Sequence, residues 1–158
     1  MLALLPVDTF ANKLLLLLHI VSIVVAFAPG FVLPGLHRRL ATDGKGSERI
    51  LAGAAAANDL RVHGPALVLA GIFGGGLVGL SKPEGATEGV FQFSQPWVSV
   101  ALLLWFIMLG VVFGLLLPAQ KKVAAGDASA DKLVSMGGGI LHLLLLLMVI
   151  DMIWKPGL

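Results

Sequence analysis

Four stretches of the chain are nearly unbroken runs of apolar residues, and the polar residues collect between them. The first runs from about Leu14 to Leu33 (LLLLLHIVSIVVAFAPGFVL), the second from roughly Pro65 to Leu80 (PALVLAGIFGGGLVGL). The third covers about Trp97 to Leu117 (WVSVALLLWFIMLGVVFGLLL) and the last about Gly138 to Trp154 (GGILHLLLLLMVIDMIW). An α-helix rises about 1.5 Å per residue, so runs of this order cross roughly 30 Å of hydrocarbon. The second run is short, but the alanine-rich Ile50 to Val62 before it predicts a helical lead-in that enters at a slant. The expected fold is all-α, a single domain over residues 1–158 built as a four-transmembrane-helix bundle. Pro29 and Pro34, near the end of the first run, predict a kink followed by termination, because proline removes a backbone hydrogen bond.

Composition turns this pattern into a class. Of 158 residues, 58% are hydrophobic and only 13% charged, with a mean hydropathy of +0.97. Soluble domains carry about a quarter charged residues, and a chain this short buries too little surface to hide so much apolar area from water. An integral membrane protein follows, with the lipid bilayer as its first partner. The absence of cysteine excludes disulfide scaffolds, thiolate metal sites, thiol catalysis and c-type haem attachment. A net charge of +2 gives no nucleic-acid-binding face.

Charge then predicts orientation, because Lys and Arg concentrate in cytoplasmic loops. Arg38, Arg39, Lys45, Arg49 and Arg61 lie between the first two runs and Lys121, Lys122 and Lys132 between the last two, which makes 5 + 3 = 8 against Lys13, Lys82 and Lys155 on the other side. Both termini are therefore expected outside, with two basic loops in the cytoplasm. Phe10, Phe91, Phe93, Trp97 and Trp154 fall at the outer interface, where aromatic rings settle. Ala26-Phe27-Ala28 has the look of a signal cleavage site, but the following Pro29, the long apolar run and the Arg38-Arg39 flank favour a retained helix. LPGLHRRLA at Leu33 to Ala41 and LLPAQKKVA at Leu116 to Ala124 form a weak repeat, expected of two hairpins related by an axis along the membrane normal.

Candidate chemistry is confined to a few residues. Gly71, Gly75 and Gly79 recur every four residues in the second run, as do Gly110 and Gly114 in the third. Such spacing predicts grooves for helix packing, or room for a flat porphyrin or quinone ring. Ionisable groups at membrane depth are costly and mark functional sites; here they are His19, His142 and Asp151, with His63 at the cytoplasmic mouth of the second run. Asn12, His19, Ser22 and Ala26 share one helix face. Asp151 lies at a depth similar to His19, so a His19–Asp151 hydrogen bond is an expectation, one that would fix the imidazole tautomer. His142 precedes Asp151 by nine residues, half a turn out of phase at about 100° per residue. It is expected either in a separate cytoplasmic-side site with His63 or as a donor to a backbone carbonyl. No hydrolase triad or HExxH pattern is present, and Met108, Met136, Met148 and Met152 form no MxxM copper cluster.

Lys13 with LLLLLHI and then LPGLHRR resembles the first helix of the membrane proteins that include HemJ-type protoporphyrinogen oxidases and copper resistance protein D. Arg61-Val62-His63-Gly64-Pro65-Ala66 is similar to the second helix of the HemJ type, and the terminal IDMIWKPG is similar to an uncharacterised family of bacterial integral membrane proteins of the same broad group. The resemblance implies a bacterial inner-membrane location and haem binding at the first-helix histidine, here His19. The expectation is thus a b-type haem or related redox ligand held by His19, with Asn12 or Asp151 in support. The alternatives are an accessory or assembly subunit of a homo-oligomer or larger membrane complex, and a small transporter.

Overall fold

The computed structural model describes residues 9–40 and 46–157. These form an all-helical chain in which four helices are long and apolar enough to cross a membrane. The first helix is Phe10–Leu40, the second Ser47–Gly79, the third Pro96–Ala124 and the fourth Asp131–Trp154. The first does not end at its prolines but runs through Pro29 and Pro34 to Leu40. Proline is tolerated inside a membrane helix where packing and water satisfy the carbonyls it frees. The second is one continuous helix of 33 residues, so Arg61 lies inside it and not in a loop. At about 1.5 Å per residue it is roughly 50 Å long, well beyond the hydrocarbon thickness of about 30 Å.

Two of the helices change register on the way. The second opens into a π-helical turn at Asp59–His63, and the third does so at Val111–Leu116. Each turn comes just before a proline, Pro65 and Pro118. The proline ring collides with the carbonyl four residues back, and the wider turn relieves that collision by passing hydrogen bonds to the fifth residue. Gly64 N–H accordingly donates to Asp59 O and Leu117 N–H to Val112 O. The two wide turns meet: a Cβ on Gly64 would lie 2.4 Å from Phe113 Cζ.

Packing follows chain order. The first helix lies along Gly64–Gly79 of the second, the Ser47–Asn58 part of the second packs on Leu117–Ala124, and the third packs on the fourth. Ala26, Phe27, Leu67, Met108, Val112 and Leu141 form the common core. At the termini end, the 80–95 connection is pinned by Ser81 Oγ, which donates to Phe91 O and accepts from Phe91 N–H. Lys155 Nζ sits 4.7 Å from the centre of the Phe91 ring. At the opposite end, Asp127 accepts from the hydroxyl and the N–H of Ser129, which holds its carboxylate below the usual aspartate range, the hydroxyl contributing most.

The glycines that make close contacts are not the regular rows. Gly75, Gly79, Gly110 and Gly114 have no described atom within 4 Å of where a Cβ would sit, so the described residues give no support to close packing at these four. Gly71 is the exception, with Trp105 Cε2 2.2 Å from that position, and Gly74 faces His19 Cε1 at 3.0 Å. A row spaced by four drifts around the helix by about 40° per step, so a neighbouring helix meets it at one crossing only. A helical side chain leans back over the preceding turn. Removing it at Gly71 and Gly74 uncovers the carbonyls four residues earlier. The Trp105 indole N–H takes the first, Leu67 O, at 2.8 Å, and His19 takes the second, Ala70 O, also at 2.8 Å.

Candidate functional site

All four helices contribute to a cavity of about 390 Å³ at the end of the bundle where the 125–130 connection lies. That is within the range of small-molecule pockets. Its walls are mostly apolar and rich in small residues, among them Gly30 of the first helix, Ala52 and Ala55 of the second and Gly138 of the fourth. Into this setting the second helix brings Asp59 and His63, the third brings Gln120 and the fourth His142. His63 lies 16 residues before Gly79, roughly 24 Å along the helix. The chamber is therefore near the far edge of the hydrocarbon layer as measured from the termini end.

The π-helical turn builds the central pair. His63 Nδ1–H donates to Asp59 Oδ1 at 3.0 Å, with Asp59 4% and His63 7% exposed. A carboxylate can only accept, so the bond places a proton on Nδ1 and leaves the Nε2 edge of the ring turned away from Asp59. That Nε2 atom, Asp59 Oδ2 and Gln120 Oε1 are all buried without a hydrogen-bond partner. Burying a polar atom unsatisfied costs about 1–3 kcal/mol, and each of these three atoms is closed off from the chamber space as well as from the outside. The His63 ring meets the edge of Phe27 at 5.8 Å between centres, and the His142 ring meets Phe31 at 4.9 Å. His142 Nδ1–H donates to Gly138 O, one turn back in its own helix, at 2.7 Å. Its other edge faces helix one, with Nε2 3.5 Å from where a Gly30 Cβ would sit.

The structure thus brings His63 and His142 to one chamber and leaves His19 and Asp151 elsewhere. His19 is half-buried against Gly74 and spends Nδ1–H on Ala70 O. No hydrogen bond or ion pair joins it to Asp151, which corrects the expected pairing. Asp151 is buried with Oδ2 unpartnered, and the Asn12 amide donates to Leu80 O at 3.3 Å. Similar depth did not bring His19 and Asp151 into contact, because the helices that carry them, the first and fourth, meet mainly around His142. Two members of the chamber, Asp59 and Gln120, escaped the sequence reading because each sits beside charged residues and passes for part of a solvated helix end. The signal that could have found Asp59 is its spacing of four from His63, directly before a Gly-Pro pair.

A b-type haem fits this geometry poorly. His19 lines no part of the chamber. None of the described lining residues is Lys or Arg to meet propionates, whereas Asp59 and Asp131 are there. Iron on His63 Nε2 would still leave Asp59 Oδ2 and Gln120 Oε1 unsatisfied. The chain matches no family model, no curated protein and no solved structure.

Proposed function

We propose that this chain is a multi-pass protein of the bacterial inner membrane whose work is to bind a small lipid-soluble ligand in the chamber around His63. The ligand has an apolar body and a small polar head. The observation that carries the reading is a largely apolar cavity of about 390 Å³ whose polar lining, Asn58, Asp59, His63, Gln120 and His142, is gathered from three helices. These polar side chains would meet a head group, and the apolar walls would take the body of the ligand. A redox ligand remains the class, as the sequence suggested, with the site moved from His19 to His63.

Organic extraction of the detergent-purified protein tests this. Wild type should carry a lipid-soluble compound at near one per chain. Gly138→Leu should lose it, since Gly138 lines the chamber and has no described atom within 4 Å of its Cβ position. Ala55→Leu should lose it too, and His19→Ala should keep it. Equal content in wild type and both chamber variants, or loss in His19→Ala alone, overturns the reading.

The chamber end is taken as cytoplasmic and both termini as outside. Arg49, Lys121, Lys122 and Lys132 lie at that end of the bundle, and Lys and Arg accumulate on the inner side. Lys45 falls outside the described residues, as do the side chains of Arg38 and Arg39. Cysteine reporters at Gly126 and Gly85 should label from inside and outside respectively in intact cells; the reverse pattern inverts the map.

A further inference from the structure

We infer that the chamber is open to water by a passage past Asp131, at the end where the 125–130 connection lies, and that its ligand is an amphiphile with its head towards that passage; the placing of the ligand rests on the chamber reading above. A second cavity carries the passage outwards. It holds about 480 Å³ and is bordered by Glu48 and Arg49 near the start of the second helix, by Gly126 and Ala128 of the connection, and by Val123 and Asp131. Val123 and Asp131 line the chamber as well, so these two side chains stand between the two spaces.

Only one of the two can move aside. Val123 is buried and β-branched, which leaves its side chain stiff. Asp131 is half-buried at the first residue of the fourth helix, and no hydrogen bond or ion pair with a described residue holds its carboxylate. A rotation of this short side chain joins the cavities.

The polar lining inside gives water a reason to enter. Ser135 follows Asp131 by one turn on the same helix face, and Asn58 lines the chamber from the second helix. Ser135 is exposed and Asn58 half-buried, and neither side chain has a hydrogen-bond partner among the described residues. Polar groups at membrane depth are costly unless protein or water satisfies them. Water arriving past Asp131 satisfies both, whereas an opening sideways between helices would turn them towards hydrocarbon. The rim of the outer cavity agrees. Glu48, Arg49 and Asp131 all border it, and the Arg49 guanidinium lies 2.8 Å from where a Gly126 Cβ would sit. A rim of mixed charge belongs in water and not among lipid tails.

The experiment uses the absence of cysteine from the chain, which lets single thiols report without background. Ser135→Cys and Ala52→Cys place a thiol in the chamber, and Leu143→Cys places one on a helix face 56% exposed. Each full chain is reconstituted in nanodiscs and treated with a cationic methanethiosulfonate, with N-ethylmaleimide as the lipid-permeant reference. Hydrocarbon excludes a permanent charge by roughly a hundredfold, so the cationic reagent should modify the chamber thiols at least about a hundredfold faster than Leu143→Cys. Asp131→Ala should speed modification of Ala52→Cys several-fold, and Ala128→Trp should slow it. Chamber thiols that react with the maleimide alone, or rates that neither Asp131→Ala nor Ala128→Trp changes, overturn the passage. Asp131→Cys should react several-fold faster with Gly138→Leu, which lacks the bound compound, than without it; equal rates overturn the placing of the head. If the cationic reagent fails while Gly138→Leu still strips the native compound, the passage falls and the chamber reading stands. If the reagent enters and Gly138→Leu strips nothing, the passage stands and the chamber reading falls.

Discussion

Gly71→Ala is expected to destabilise the bundle by about 3 kcal/mol, seen as a lower unfolding midpoint in detergent and a smaller folded yield. The new methyl would lie 2.2 to 2.6 Å from three atoms of the Trp105 indole. A surface side chain would swing away, but this ring is rigid and its N–H is bonded to Leu67 O at 2.8 Å on the same helix. Overpacking of this kind costs about 1–3 kcal/mol, and losing the interhelical hydrogen bond adds about 0.6–1 kcal/mol. Alanine's better helix propensity offsets up to about 1 kcal/mol of that. The control is Gly75→Ala, one turn on in the same helix, where no described atom lies within 4 Å of the new methyl. It should be neutral or slightly stabilising. Equal midpoints for the two variants would refute the claim that only the helix crossing, and not the four-residue glycine spacing, sets the packing.

Gly64→Ala carries the second large effect, and it joins the fold to the site. A Cβ there would sit 2.4 Å from Phe113 Cζ and 2.8 Å from the carbonyl oxygen of Asp59. The second contact belongs to the π-helical turn itself, whose closing bond runs from Gly64 N–H to Asp59 O. A methyl group at this position pushes against the backbone that places Asp59 opposite His63. The expected result is a loss of about 2–4 kcal/mol of stability, from strain that neither a rotamer change nor a small shift of Phe113 can relieve. The bound compound should be lost with it. Phe113→Ala in the same chain separates the two contacts. If the double variant regains stability but not the ligand, the clash with Phe113 accounts for the fold and the clash with Asp59 O for the site. Ligand retention in Gly64→Ala alone would show that the wide turn is not what builds the chamber.

The residues that were misplaced by sequence reasoning were misplaced for physical reasons. His19 and Asp151 matched in depth, which depends on counting residues from a helix end. Contact between them depends on how far each helix is rotated about its own axis, and no residue count carries that angle. His63 and His142 were recognised as one option, a shared site on the loop side, because both fall in the half of the bundle towards the basic connections. Their inclusion in one chamber came from the π-helical turn at Asp59–His63 and from Gly30, which lets the His142 ring approach the first helix. Asp59 was hidden by its neighbourhood. A carboxylate two residues from Arg61 reads as an exposed helix end, yet in the folded bundle it is a buried partner of His63, on a chamber that Gln120 and Val123 of the third helix also line.

Sequence alone was sufficient for four membrane-length helices, for the lead-in that lengthens the second, and for the absence of thiol chemistry. These are local and additive properties: hydropathy sums over a window, and the energy of placing a helix in lipid hardly depends on which helix lies beside it. The tertiary structure decided which glycines are contacts, which histidine nitrogens are already committed, and where the chamber around His63 gathers its polar side chains. Those depend on crossing points and axial rotations that arise when two π-helical turns meet at Gly64 and Phe113. A wide turn shifts every later side chain around its helix, so a strictly helical reading of the residues on either side of it projects them onto the wrong faces.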